Sequence, residues 1–196
     1  MSPLELVAAA FGVVSVYLSA RENILSWPTA LVNEGLYTIV FFQSRLYADM
    51  GLQVVYFALS AYGWYEWKFG GANRTELRVS RATPRLWAIL ALVNLVAWLT
   101  LGTILSRYTD AALPWLDSLL STTSLVAQLL MTRKVLENWA IWIVLDLAYV
   151  PTFISRGLYA TAGLYAIFLV LAAMGWREWK QSFLAHHPAA PLPSSA

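Results

Sequence analysis

The chain repeats itself. GWYEWK at Gly63 to Lys68 recurs as GWREWK at Gly175 to Lys180, and the same offset of 112 residues pairs LYADMGL (Leu46 to Leu52) with LYATAGL (Leu158 to Leu164). At that offset Arg21 faces Arg133, Trp27 faces Trp139, Glu34 faces Asp146 and Tyr37 faces Tyr149. Between Leu46 and Lys68, 12 of 23 positions are identical to their counterparts with no insertion, which chance likeness between apolar segments does not produce. Any fold of this chain must place two like units around a middle segment.

The chain is 59% hydrophobic and 12% charged, and seven apolar runs can be drawn: Leu4 to Leu18, Ile24 to Phe42, Tyr47 to Trp67, Leu86 to Leu105, Leu113 to Met131, Asn138 to Ile154 and Leu158 to Trp179. Crossing hydrocarbon takes about 17–25 helical residues. Helices satisfy their backbone hydrogen bonds internally, and these runs lack the strict alternation of barrel strands. The expected fold is all-α: an integral membrane protein of seven transmembrane helices, built as two parallel three-helix repeats joined by a linker helix (3+1+3). Residues 1–68 would form the first repeat, 69–112 a basic cytoplasmic loop with linker helix four, 113–180 the second repeat and 181–196 a disordered cytoplasmic tail. One linker helix makes the repeats parallel about an axis along the membrane normal, where a pathway would lie. The first run lacks a basic leader and is needed as the partner of the fifth, so it reads as a helix and not a signal peptide.

Seven crossings put ten Lys and Arg residues on the side of the C-terminus and only Arg45, Arg107 and Arg156 on the other. The positive-inside rule then places the C-terminus in the cytoplasm and the N-terminus outside. The net charge of +2 forms no basic patch for nucleic acid. There is no cysteine, the only histidines are the adjacent His186 and His187, and Gly70-Gly71 is not followed by the Lys-Ser or Lys-Thr of a phosphate loop. These absences argue against an enzyme, a metal site, a cofactor and direct drive by ATP. Trp27, Trp64, Trp67, Trp87, Trp139, Trp176 and Trp179 fall near the cytoplasmic ends of the runs, where most would anchor the chain among headgroups; Trp98 and Trp142 lie deeper.

Ionisable groups at membrane depth are costly unless they face the bundle interior, so Glu34 and Asp146 carry most of the functional information. Each has a tyrosine three residues later, Tyr37 and Tyr149, within reach of a hydroxyl-to-carboxylate hydrogen bond. Asn138, Trp142, Asp146 and Tyr149 form one stripe on the sixth helix at spacings of four, four and three. Asn33, Glu34 and Tyr37 form a weaker counterpart on the second. Gln53 and Gln128 are further amides within spans, serving as interhelical ties or ligand contacts. Tyr56, Tyr62 and Tyr165 could line a path, and Asp49 reads as interfacial. The competing reading is that each acid only locks the bundle through a neighbouring Tyr, Asn or Arg. A transporter accounts for the duplication and the paired acids. A membrane-embedded enzyme lacks a catalytic constellation, and a signalling or assembly protein leaves the acids without a purpose.

The segment WPTALVNEGLYTIVFFQSRLYADMGLQVVYFALSAYGWYEWK resembles the first half of the PnuC family of nicotinamide riboside transporters, and AQLLMTRKVLENWAIWIVLDLAYVP followed by GLYATAGLYAIFLVLAAMGWREWK resembles its second half. The resemblance implies a SWEET-like 3+1+3 fold, a homotrimer with one pathway per protomer, and facilitated diffusion in the bacterial inner membrane with the vitamin trapped by a cytoplasmic kinase. Related members move other vitamins, thiamine among them, and proton coupling through an acid is the competing mode. Nicotinamide riboside and thiamine both carry a cationic aromatic ring. Trp142, Tyr37 and Tyr149 could stack on either, Asp146 or Glu34 could offset its charge, and Asn33, Gln53, Gln128 and Asn138 could read its polar groups.

Overall fold

The computed structural model describes residues 3–45, 47–109 and 113–186. These form α1 (Pro3–Ala20), α2 (Ser26–Gln43), α3 (Tyr47–Phe69), α4 (Pro84–Tyr108), α5 (Pro114–Thr132), α6 (Asn138–Ser155) and α7 (Tyr159–His186), with a short 3-10 turn at Ala72–Arg74. The helices stop at equivalent places in the two halves. Glu22 and Lys134 take φ of 54° and 48° just after α1 and α5, and Arg45 and Gly157 take 58° and 73° after α2 and α6. A left-handed residue satisfies the last helical carbonyls while turning the chain aside. At the starts, Pro84 and Pro114 occupy first-turn positions, and the Thr83 side chain caps α4 by accepting the Leu86 N–H at 3.2 Å.

Packing follows the repeat. α1 lies against α2, α2 against α3, α3 against α5, α5 against α6, α6 against α7 and α7 against α1, which closes a six-helix ring. Exchanging the halves maps each of these contacts onto another, as a two-fold axis requires. α4 docks on α5 outside the ring, where the Trp98 indole N–H donates to the Trp115 carbonyl at 2.9 Å, and it turns Leu92 and Val96 outward at 63% and 56% exposure. By length and apolar composition alone α1, α4, α6 and α7 qualify as membrane spans. α2, α3 and α5 contribute 18, 23 and 19 residues to the same seven-helix membrane bundle but carry more of the polar side chains that face its interior. α7 runs to His186, so its last turns take up residues 181–186, which were expected to begin the tail; residues 187–196, including His187, lie outside the described residues.

The tryptophans correct the sequence reading most sharply. Trp64 and Trp87 are about two-fifths exposed, as anchors should be, but Trp27, Trp67, Trp139 and Trp179 are at most 2% exposed. They pack as a quartet at the end of the ring where α3, α5 and α7 finish. Trp27 meets Trp67 edge-on at 5.1 Å, Trp139 meets Trp179 edge-on at 5.4 Å, and Trp67 and Trp179 join the two pairs at 5.7 Å. Inward-facing indoles from converging helix ends find one another before they find headgroups. The repeated glycine makes the slot: a Cβ on Gly63 would stand 2.3 Å from the Trp27 ring, and one on Gly175 would stand 2.5 Å from Trp139. The G-W-x-x-W element is thus a packing device in which the glycine admits one indole and the last tryptophan stacks against it.

The segment between α3 and α4, expected as a basic cytoplasmic loop, is strapped across this end. Ser80 pairs with Val135 in a parallel bridge, Val79 is buried against the quartet, and Glu137 accepts from Arg81 Nε at 2.9 Å and from the Ala82 N–H at 3.0 Å. Equivalent Glu22 and Lys134 meet there as a 3.0 Å ion pair, with the Lys134 ammonium 4.6 Å from the centre of the Trp67 ring. Gly175→Ala should lower stability by about 1–3 kcal/mol through overpacking against Trp139. Gly163→Ala, whose Cβ meets nothing within 4 Å, should leave it unchanged or raise it, and thermal unfolding of the two purified variants in detergent checks both.

Candidate functional site

Beyond the quartet the ring interior turns polar. α3 presents Gln53, Tyr56, Ser60, Gly63 and Trp67 at spacings of three, four, three and four, one helical face whose last two members belong to the quartet. Ser60 is fully buried and donates to Glu34 Oε1 of α2 at 2.6 Å, while Gln128 Nε2 of α5 reaches the Ser60 hydroxyl at 3.4 Å. Tyr56 and Ser124 share a hydroxyl-to-hydroxyl bond between the same two helices. Glu34 is therefore held by a serine, and the tyrosine partners expected for both acids are otherwise engaged: Tyr37 stacks on Phe41, and Tyr149 packs against Phe153 and Tyr165.

The two acids are not equally satisfied. Both are buried, Glu34 at 6% and Asp146 at 2% exposure. The position equivalent to Ser60 is Ala172, which offers no hydroxyl, and Asp146 receives no hydrogen bond among the described residues. On the same α6 stripe the Trp142 indole N–H and the Asn138 Oδ1 are buried without partners, although Asn138 Nδ2 donates to the Val135 carbonyl at 2.7 Å. A buried polar group left unpaired costs about 1–3 kcal/mol. Two such atoms, Asn138 Oδ1 and Trp142 Nε1, lie on the same α6 face as the Asp146 carboxylate. The α2 counterpart is largely spent, because Ala30 replaces Trp142, Glu34 keeps only Oε2 unpaired, and Asn33 Nδ2 is drawn aside to the Ala8 carbonyl at 2.6 Å beside Gly12.

Of the residues singled out from sequence, Glu34 and Gln128 come together through Ser60, and Asn138, Trp142, Asp146 and Tyr149 keep one stripe. Asn33 turns to α1, while Gln53 sits half-buried beyond Tyr56. Away from the quartet Tyr149, Phe153, Tyr165 and Phe168 of α6 and α7 form an aromatic cluster whose neighbouring ring centres stand 4.7–5.7 Å apart. Ser60 was missed from sequence, although its place in the α3 periodicity marked it. α1, α2, α5 and α6 contain no lysine or arginine and α3 has only Lys68, in its last turn, while α7 carries Arg177 and Lys180 beyond Gly175 at the quartet end.

Residues 2–181 match the protein family described as nicotinamide mononucleotide transporter. The chain belongs to this family. Similar members include the nicotinamide riboside transporter PnuC of Escherichia coli (strain K12), 31% identical over 93% of this chain and 87% of that protein. The riboflavin/roseoflavin transporter RibM of Streptomyces davaonensis is 27% identical over 89% of this chain and 83% of its own length. A crystal structure of the vitamin B3 transporter PnuC superposes with a TM-score of 0.74 at 26% identity, covering 93% of this chain and 83% of that one. The seven-helix bundle is thus that of a transporter family, and the SWEET-like 3+1+3 fold that the family resemblance implies holds.

Ser60→Ala should strip the Glu34 carboxylate of its hydrogen bond and cost about 1–3 kcal/mol. In a Glu34→Gln background the same change should cost clearly less, and a double-mutant cycle on thermal unfolding reads the difference.

Proposed function

We propose that the chain carries nicotinamide riboside across the membrane by facilitated diffusion. The observation that carries this reading is the unpaired Asp146 carboxylate beside the unpaired Trp142 indole, with Glu34 the other buried acid and no lysine or arginine on α2 or α6. A cationic pyridinium stacked on Trp142 would meet its counter-charge at Asp146, while Asn138 Oδ1 and Gln128 would take up polar groups of the ring and ribose. Glu34, already bonded to Ser60, would set the far wall with Tyr37 and Tyr149 above it, and Asn33 and Gln53 would bind less directly. The family description names the mononucleotide, yet its phosphate would bring negative charge among carboxylates with no arginine or lysine to receive it. The same acids favour a cationic ring over the neutral flavin that RibM's name implies for that protein. Thiamine, also cationic, is the reading that the residue types leave as the alternative.

The quartet and the Tyr149 cluster would close the site from its two ends in turn. Ten basic residues flank the quartet end, so we place that end and the C-terminus in the cytoplasm, with the N-terminus outside. A cytoplasmic kinase would trap the riboside, since the added phosphate is repelled by the acids that admitted the cation. We further expect a homotrimer in the bacterial inner membrane, each protomer with its own path.

Binding to the purified protein should favour nicotinamide riboside over its mononucleotide by at least about tenfold, or 1.4 kcal/mol. Asp146→Asn and Trp142→Ala should each weaken riboside binding by a similar factor. Equal affinity for both ligands, or unchanged affinity in both folded variants, moves the site elsewhere, and thiamine titrated alongside shows which cationic ring is preferred.

A further inference from the structure

The two halves differ at one more pair of equivalent positions. Arg21 and Glu178 close into a 3.1 Å ion pair across the seam between α1 and α7. Their counterparts Arg133 and Glu66, at the seam between α5 and α3, form no ion pair; the Arg133 guanidinium instead stands 5.5 Å from the centre of the Tyr62 ring. A cavity of about 440 Å³ opens between them. Its outer wall is supplied by α4, the helix without a counterpart in the second half, through Leu86 and Leu90, and Leu129 of α5 forms the base.

This cavity is amphipathic along the membrane normal. At the quartet end it is rimmed by Arg133, which is exposed, and by Arg81, whose Nε is held by Glu137 at 2.9 Å. Toward the bilayer centre its lining is leucine, and it adjoins the outward face of α4, where Trp87, Ile89 and Leu92 are 39%, 50% and 63% exposed. An occupant must therefore bring an anion to helix-end depth and hydrocarbon below it. We propose that the cavity binds an anionic phospholipid, with the phosphate at Arg133 and an acyl chain against Leu86, Leu90 and Leu129. Arginine suits the phosphate because its planar fork donates two parallel hydrogen bonds. With no Arg133–Glu66 ion pair, that fork is left with only the Tyr62 side chain beside it.

The test uses the full chain, purified and delipidated in detergent, titrated with phosphatidylglycerol, with phosphatidylcholine of the same chains and with inorganic phosphate, while thermal unfolding is followed and bound lipid is counted by native mass spectrometry. Phosphatidylglycerol should raise the unfolding temperature and remain bound, and the other two should do neither. Arg133→Gln should weaken phosphatidylglycerol binding about tenfold, and Arg21→Gln, at the closed seam, should leave it unchanged. Leu129→Trp, which narrows the cavity without touching the charge, should weaken it as well. Equal stabilisation by phosphatidylcholine or by phosphate alone overturns the proposal, as does unchanged phosphatidylglycerol binding in Arg133→Gln and Leu129→Trp. A changed oligomeric mass in Arg133→Gln with lipid binding intact would assign this face to a contact between copies, and would overturn it equally.

Discussion

Two indoles meeting on a two-fold axis hold the ring closed. Each half is a three-helix unit, and the helices of the two halves pack along two seams, α3 with α5 and α7 with α1. Trp67 donates its indole N–H to the Met131 carbonyl at 3.0 Å, and Trp179 donates to Ser19 at 3.0 Å, so each indole crosses a seam. Ser19 and Met131 are themselves equivalent positions. The Trp67–Trp179 contact then joins the seams to each other, and Trp27 and Trp139, slotted over Gly63 and Gly175, brace it from behind. Aromatic pairs of this kind contribute roughly 0.5–1.5 kcal/mol each beyond burial. In lipid, where helices gain little from hydrophobic burial, close packing and directed hydrogen bonds of this sort decide association.

Symmetry is kept where the structure needs it and lost where a ligand would sit. The quartet, its glycines, the left-handed helix ends and the seam hydrogen bonds all recur at the 112-residue offset. The interior does not. Ser60 against Ala172, and Trp142 against Ala30, leave one acid committed to the scaffold and the other free. A solute without two-fold symmetry, a flat cation on a sugar, suits a site whose halves have diverged in this way. The charge distribution agrees with that assignment, since Glu34 and Asp146 are buried on helices without lysine or arginine, while ten of the thirteen basic residues gather at the quartet end.

Sequence periodicity exposed the duplication, the seven helices and the two acids because each leaves a mark at a fixed spacing or depth. It misjudged what depends on which way a side chain turns. Trp27 and Trp67 share a composition and a depth with Trp64 and Trp87, and only the rotation of each helix separates a buried indole from one facing headgroups. Asn33 and Glu34 are neighbours, yet one faces α1 and the other Ser60. Ser60 on the α3 face drew no notice, although its three-four spacing with Tyr56, Gly63 and Trp67 marked it as inward. The strap between α3 and α4 left no periodic signal at all, because it is an irregular segment held by one bridge, by Glu137 and by the burial of Val79.

With no nucleotide site and one acid already bonded to serine, the free carboxylate is assigned to the solute's own charge, so the protein should equilibrate its substrate without concentrating it. The most direct measurement is uptake of labelled nicotinamide riboside into liposomes containing the purified protein, with and without an imposed pH gradient. The account predicts that internal riboside rises to the external concentration and stops there in both cases. Accumulation above the external concentration only when the gradient is present would show that Glu34 or Asp146 carries a proton, and would contradict it.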